Sequence, residues 1–179
     1  MKVSFEVVEE KEYGAFRKDV KEIFSIAVIE EFGESDDEEE VISDEEINES
    51  LYKENAEIYY AYVDGKKVGG VVLEIDNITH HNSVDLLYVY PDCHSKGMGY
   101  SIWKAVEEKY PETKVWELVT PYFEKRNINF YVNKCGFKIV EFFNKYHEDE
   151  ELTDLCDEYS KDSYGGFKEE FFRFEKIMK

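Results

Sequence analysis

The sequence predicts an α/β fold with a mixed sheet, in the order β-α-α-β-β-β-α-β-α-β-β. Short apolar runs typical of strands alternate along the chain with longer segments whose apolar residues recur at helical spacing. The dipeptide Asp64-Gly65 joins two of the apolar runs in the manner of a hairpin turn. A turn containing two glycines follows the strand at 84–90 and opens a helix. Since no repeat or linker interrupts this order, we expect residues 1–179 to form one domain.

The first half of the chain is predicted to hold a strand, two helices and the hairpin. The strands are predicted at 3–8, 58–63 and 68–75, and the first helix is predicted at 10–31. The first helix should end near Gly33, and the acidic segment 33–40 that follows is predicted to be a loop. Ser43 and Glu46 form the Ser-x-x-Glu pattern of a capping box, which predicts the start of the second helix.

The second half is predicted to hold four strands and two helices. The strands are predicted at 84–90, 115–119, 137–143 and 171–178, and the helices at 97–110 and 121–134. Thr120 and Pro121 are typical of an N-cap followed by a first-turn proline, which places the start of the last helix there. The polar segment 147–168 is predicted to be a loop.

The net charge of the chain limits the classes of partner that we expect it to bind. Lysine and arginine number 22 against 42 aspartate and glutamate residues, a formal net charge of −20. Such a chain repels nucleic acid and anionic membranes, so we expect neither as a partner. The same charge would attract a cationic substrate such as an amine or a basic protein tail. A general need for solubility, or the acidic bias of a whole proteome, explains it equally well.

Cysteine usage and hydropathy indicate a cytoplasmic protein. The three cysteines, Cys93, Cys135 and Cys156, form no closely spaced disulfide framework, which is typical of a reducing compartment. The N-terminus lacks the apolar region of a secretory signal. The longest apolar run, 23–29, is too short to span a membrane.

The turn at 94–99, with the sequence His-Ser-Lys-Gly-Met-Gly, predicts a phosphate-binding site. Backbone N–H groups at a helix start lack helical partners, and the helix dipole favours an anion there. A P-loop is excluded because Tyr100, not lysine, follows Gly99. A dinucleotide fingerprint would need a third glycine where Ile102 stands.

The strand, the proline and this glycine pair resemble the acetyl-CoA binding motif of the GNAT acetyltransferase superfamily. The resemblance implies a mostly antiparallel central sheet flanked by helices, and loop amides that hold the pyrophosphate of CoA. The family usually has Arg or Gln where this chain has His94. We therefore expect backbone N–H groups to make most of the contacts with the pyrophosphate, with Lys96 adding positive charge. The resemblance assigns to the donor site Leu87, Tyr88, Val89, His94, Ser95, Lys96, Gly97, Met98, Gly99 and Tyr100.

Residues 121–137 resemble a second element of the family, a helix that ends in Phe-Tyr and is followed by Gly-Phe. The resemblance makes Tyr131 the acid that protonates the departing thiolate. Tyr131 lies five residues before Gly136, where the family commonly has four, so an alignment on the glycine would select Val132 instead. An extra residue at the helix end or a π-bulge would accommodate Tyr131. A role as a core aromatic remains the alternative.

Helical spacing and the family pattern disagree about the residue that would bind the pantetheine arm. The family pattern, counted back from Tyr131, reaches Glu124, whose carboxylate does not suit the role. Asn127 lies one turn before Tyr131 and is the better candidate on helical spacing. A solvent-facing asparagine is the alternative interpretation.

Acetyl transfer to an amine also needs a base and a donor to the oxyanion. Asp85, on the strand that enters the site, is predicted as the base, and Glu117 on the next strand is the alternative. The resemblance implies that a backbone N–H of the strand before the glycine turn, from Tyr88 or Val89, polarises the thioester carbonyl. His80 and His81 lack spaced carboxylate partners, so no metal site is predicted.

Two functions from different classes follow from the resemblance. The first is an N-acetyltransferase that moves an acetyl group from acetyl-CoA to a primary amine by direct attack in a ternary complex. Its acceptor would be a small amine or a protein amino group, and the resemblance also allows a homodimer. The second is a catalytically weak sensor of acyl-CoA, or an interaction module, on the same fold.

Overall fold

The structure is a computed structural model that describes residues 1–33, 42–94, 97–148 and 170–179. The chain divides into two compact units, one of Met1–Trp116 with Met178–Lys179 and one of Glu117–Ile177. Nearly all of the predicted loops at 33–40 and 147–168 lies outside the described residues, as do Ser95 and Lys96.

Four strands of the first unit form an antiparallel array in the order β1-β2-β3-β4. They are β1 (Val3–Val7), β2 (Ala56–Val63), β3 (Lys66–Glu74) and β4 (His81–Val89). Asp64 and Gly65 connect β2 to β3 with φ values of 49° and 78°. A positive φ at both positions is what the preferred hairpin turn requires, so the predicted hairpin is confirmed.

The first two helices begin and end at the signals in the sequence. A 3₁₀ turn at Glu10–Glu12 leads into α1 (Tyr13–Phe32), which ends at Gly33 with φ of 82°. In α2 (Asp44–Leu51), the Ser43 hydroxyl accepts from the N–H of Glu46 at 3.1 Å. The Glu46 carboxylate in turn accepts from the N–H of Ser43 at 2.7 Å. This is the predicted capping box, which supplies partners for N–H groups that the helix leaves unbonded.

Helices cover both faces of the strands in the first unit. On one face α1 and α2 pack against the sheet through a cluster that includes Phe16, Val20, Ile47, Leu51, Ile58, Tyr60, Val72 and Tyr88. On the other face α3 (Met98–Lys109) contributes Met98 and Ile102 to a cluster with Ala61, Val63, Val68 and Cys93. Leu87 and Val89 pack against this second cluster. Along β4, side chains therefore alternate between the α1/α2 face and the α3 face.

The second unit holds most of β5 (Val115–Pro121), then α4 (Lys125–Asn129), a π-helix (Phe130–Cys135), β6 (Lys138–Phe143) and β7 (Phe171–Ile177). β6 and β7 pair in the antiparallel sense, and β7 lies between β5 and β6.

The start predicted for the last helix is wrong. Thr120 and Pro121 end β5, and α4 begins at Lys125 with Glu124 as its N-cap. The reason is burial: Trp116, Leu118 and Thr120 are all buried at alternating positions of β5. This period of two extends the strand past the capping signal.

The order of strands and α-helices is the predicted one. The fold is mixed α/β, its strands pair mostly in the antiparallel sense, and helices flank them. Among the described residues, we find no helix with the length and apolar character needed to cross a bilayer.

Candidate active site

The part of the turn that the structure describes, from Gly97 onward, leaves room for an anion at the start of α3. Gly97 is the N-cap of α3 and adopts φ of 96°, which an L side chain rarely tolerates. In the described part of the chain, no heavy atom beyond its chain neighbours lies within 4 Å of a Cβ placed at Gly97. The first N–H groups of α3 lack acceptors within the helix and so can meet a ligand in this open space. Among the predicted donor residues, Met98 is buried, Gly99 is half-buried and Tyr100 is exposed.

The backbone of β4 separates the two N–H groups predicted to polarise the thioester. The N–H of Tyr90 donates to the carbonyl of Val68, on the β3 side, at 3.0 Å. Tyr88 opposes Gly70 in the same register, so its N–H also points toward β3. Since backbone groups alternate along a strand, those of Leu87 and Val89 point to the opposite edge of β4.

Two adjacent glycines on β3 make room for Tyr88. A Cβ at Gly69 would lie 2.1 Å from the Tyr88 carbonyl oxygen, and one at Gly70 would lie 2.7 Å from the Tyr88 ring. The ring is 3% exposed and packs against Phe16 at 5.5 Å. This pair was not among the predicted site residues, although adjacent glycines inside an apolar strand indicate a close approach of this kind. Burial raises the pKa of Tyr88 above its ordinary value, so its hydroxyl stays protonated.

His94 lies at the end of β4 that leads into the glycine turn. Its Nε2 lies 2.8 Å from the carbonyl oxygen of Val89 and donates a hydrogen bond to it. The ring therefore reaches back to the same edge of β4 that Leu87 and Val89 present. It occupies the position where the family usually has Arg or Gln.

Asp85 is the extra residue of a β-bulge in β4. Val72 opposes Leu86 and Leu73 opposes Val84, so the register skips Asp85. The Asp85 side chain is 11% exposed. One of its oxygens, Oδ1, accepts from the Ser83 hydroxyl at 2.8 Å. The other, Oδ2, pairs with the Lys53 ammonium at 2.7 Å.

Glu117, the alternative base, belongs to an ion-pair cluster in the second unit. Its carboxylate pairs with Arg173 at 2.8 Å. The same guanidinium contacts Glu141 at 2.7 Å and Glu175 at 2.6 Å. Because Arg173 binds all three carboxylates, Glu117 has a structural role that already accounts for its charge.

Tyr131 lies in an aromatic pocket of the second unit and is 8% exposed. Its ring contacts Phe130, Phe137 and Phe174, with centroid separations of 5.1, 5.7 and 6.1 Å. Burial, with smaller contributions from Cys135 and Glu124, raises the pKa of Tyr131 above its ordinary value. The hydroxyl is therefore protonated at neutral pH, as a proton donor must be.

The π-helix explains the unusual spacing between Tyr131 and Gly136. The N–H of Gly136, which has φ of 82°, donates to the Tyr131 carbonyl five residues earlier. The π-helix at Phe130–Cys135 thus accommodates the extra residue between Tyr131 and Gly136, in the manner of the π-bulge predicted as one possibility. Asn127 is exposed on the preceding α4, and Glu124 caps that helix.

Comparison with known proteins identifies the family. The sequence model of the acetyltransferase (GNAT) family matches residues 13–137. The uncharacterized protein YrkN of Bacillus subtilis (strain 168) is 49% identical over 178 residues, which cover 99% of this chain and 95% of YrkN.

Solved structures show the same fold. A Bacillus subtilis acetyltransferase in complex with CoA has a TM-score of 0.62 and 18% identity, covering 99% of this chain and 100% of its own. A GNAT family acetyltransferase from Elizabethkingia anophelis with acetyl-CoA bound has a TM-score of 0.64 and 15% identity, covering 98% of each chain. Because the family model covers more than half of the sequence, this chain belongs to the acetyltransferase (GNAT) family.

Proposed function

We propose that the protein transfers an acetyl group from acetyl-CoA to a primary amine by direct attack in a ternary complex. The observation that carries the proposal is the position of Asp85. Its largely buried carboxylate stands at the bulge of β4, two residues before the outward-facing backbone of Leu87. The proposed base therefore lies close to backbone groups that point away from β3, an arrangement that suits this reaction.

The donor would bind along β4 and the turn that follows it. The amides of the glycine turn would hold the pyrophosphate, and the pantetheine arm would run back along the side of β4 that points away from β3, where Val89 would pair with it. His94, Ser95, Lys96, Tyr100 and Asn127 are the side chains proposed to contact CoA. The bound CoA and acetyl-CoA in the two structural neighbours support this choice of donor.

The direction of the pantetheine arm indicates which backbone N–H would donate a hydrogen bond to the thioester carbonyl. Starting from the glycine turn, the arm passes Val89 and then Leu87 before it reaches Asp85. The N–H of Leu87 is therefore proposed to stabilise the oxyanion. The N–H of Tyr88 serves the pairing with β3 instead.

In the proposed reaction the acetyl group moves from sulfur to nitrogen, and the acceptor nitrogen gives up two protons. Asp85 removes a proton from the ammonium of the acceptor, whose pKa of about 10.4 otherwise keeps it charged. The amine nitrogen attacks the thioester carbon, and a C–N bond forms as the C–S bond breaks. As the amide forms, its nitrogen gives up a second proton to solvent, and the CoA thiolate takes the proton of the Tyr131 hydroxyl. Tyr131 is restored from solvent, and Asp85 loses its proton to solvent.

A thiol-release assay tests the proposal. The protein is mixed with acetyl-CoA and, separately, with polyamines, amino acids and basic peptides, and free CoA is measured against a no-acceptor control. We expect release that depends on one class of amine, with the acetylated product confirmed by mass spectrometry. Stabilisation by acetyl-CoA without turnover on any acceptor would favour the sensor function. If acetyl-CoA neither binds nor stabilises the protein, the donor assignment is wrong.

A further inference from the structure

Lys53 joins three elements of the first unit at the bulge. It follows α2, two residues after Leu51, and its ammonium lies between two carboxylates. The Lys53 nitrogen is 2.7 Å from Asp85 on β4 and 3.0 Å from Glu74 on β3. Lys53 thereby connects the end of α2 to Asp85, which the pairing between β3 and β4 skips.

The three side chains differ in their exposure to solvent. The Asp85 side chain is 11% exposed, whereas those of Lys53 and Glu74 are 41% and 40% exposed. A carboxylate in such a position needs cations or hydrogen-bond donors as partners. The Ser83 hydroxyl, at 2.8 Å, is a neutral donor, and Lys53 is the cation in contact with Asp85.

Lys53 carries its charge in this setting. Burial by itself lowers the pKa of Lys53, but the hydrogen bonds and charges of Asp85 and Glu74 outweigh burial, and the net pKa is raised. Among the described residues, Oδ2 of Asp85 is buried and has an ion pair with Lys53 but no hydrogen-bond partner, so it keeps a lone pair for a substrate proton. The ion pair and the proposed role of Asp85 as base are therefore compatible.

We propose that Lys53 is a positioning residue for acetyl transfer, whose ammonium pairs with the Asp85 carboxylate and orients it at the bulge. The proposal rests on the function proposed above, because it needs Asp85 to be the base. Among the described charged groups, Glu74 contacts Lys53 directly, and His81 lies four residues before Asp85 on β4.

The test compares pH–rate profiles of kcat/KM for the wild type, Lys53→Met, Lys53→Arg and Glu74→Gln with one acceptor throughout. Loss of the cation favours protonation of Asp85, so Lys53→Met should move the acid limb up by about one pH unit or more. Activity should recover toward that of the wild type at high pH. Lys53→Arg, which keeps the charge, should restore the wild-type limb.

Glu74→Gln is the matched control. It removes the second carboxylate bound to Lys53 but leaves the contact with Asp85, so its acid limb should stay in place or move to lower pH. A purely structural role of Lys53 would instead lower kcat/KM of Lys53→Met equally at every pH, and that result would overturn the proposal.

A second measurement separates the two proposals. The ¹³C resonance of the Asp85 carboxyl carbon, followed by NMR against pH, should show a higher titration midpoint in Lys53→Met than in the wild type. An unchanged midpoint overturns the role of Lys53 even if the enzyme is active. Absence of thiol release by the wild type with every acceptor overturns the proposed function, and the role of Lys53 in catalysis with it.

Discussion

Ser83 donates its hydroxyl hydrogen to Oδ1 of Asp85 at 2.8 Å, across the position where β4 bulges. The bond fixes one oxygen of the carboxylate and leaves the lone pairs of the other for Lys53 and for a substrate proton. A carboxylate held in this way on a strand, rather than on a loop, keeps a constant position relative to the backbone of Leu87. The chemistry proposed for the site depends on that constancy.

Replacing the base should remove turnover and leave donor binding intact. In Asp85→Asn the side chain keeps its shape but cannot accept a proton from an ammonium. We expect kcat/KM to fall about 100-fold or more. The Kd for acetyl-CoA, measured by calorimetry, should be unchanged. If Glu117→Gln shows the large loss and Asp85→Asn does not, the base is Glu117.

Removing the Tyr131 hydroxyl should slow the departure of the thiolate. Tyr131→Phe keeps the aromatic packing on Phe130, Phe137 and Phe174, so the fold should be preserved. We expect kcat to fall about 100-fold while CoA binding stays the same. Tyr122→Phe is the control, since Tyr122 is an exposed aromatic of the same unit and should not affect turnover. Equal rates for Tyr131→Phe and the wild type would leave Tyr131 as a core aromatic only.

Changing the glycine turn should weaken donor binding. Gly97→Ala forces an L side chain into a left-handed conformation at a strain of about 1 kcal/mol, which distorts the turn whose amides are proposed to bind the pyrophosphate. We expect the Kd for CoA to rise about fivefold or more. Gly65→Ala is a matched control, because Gly65 also has a positive φ and open space around it but lies in the hairpin. Equal Kd values for both variants would place CoA elsewhere.

The pair of glycines on β3 should matter for stability. In Gly69→Ala the new methyl group would meet the Tyr88 carbonyl oxygen at 2.1 Å, and a backbone atom cannot move aside easily. We expect a loss of about 1–3 kcal/mol in the free energy of unfolding, measured by urea denaturation. Gly14→Ala is the opposite control: in the described residues, and apart from chain neighbours and the backbone of α1, only the end of Arg17 lies within 4 Å of a Cβ placed at Gly14. Alanine there should stabilise the helix, and a loss of the same size in both variants would contradict the steric argument.

Elements that depend on neighbouring residues could be predicted from the sequence. The capping box of Ser43 and Glu46, the hairpin turn at Asp64-Gly65 and the end of α1 at Gly33 all form as predicted. Each rests on contacts within a few residues, whose geometry the residue types dictate. Thr120 and Pro121 show the limit of this reasoning. Their local signal favours a helix start, but burial of Thr120 keeps them in β5.

The sequence by itself determined the family, the order of the helices and strands, and the glycine turn. These follow from short motifs and from the periodic spacing of apolar residues. Only the tertiary structure decided that Asp85 is the bulge residue, that the N–H of Leu87 points away from β3, and that Lys53 is a partner of Asp85. These relationships join residues on different strands and loops. They depend on strand register, and register follows from the packing of the whole sheet rather than from any single segment.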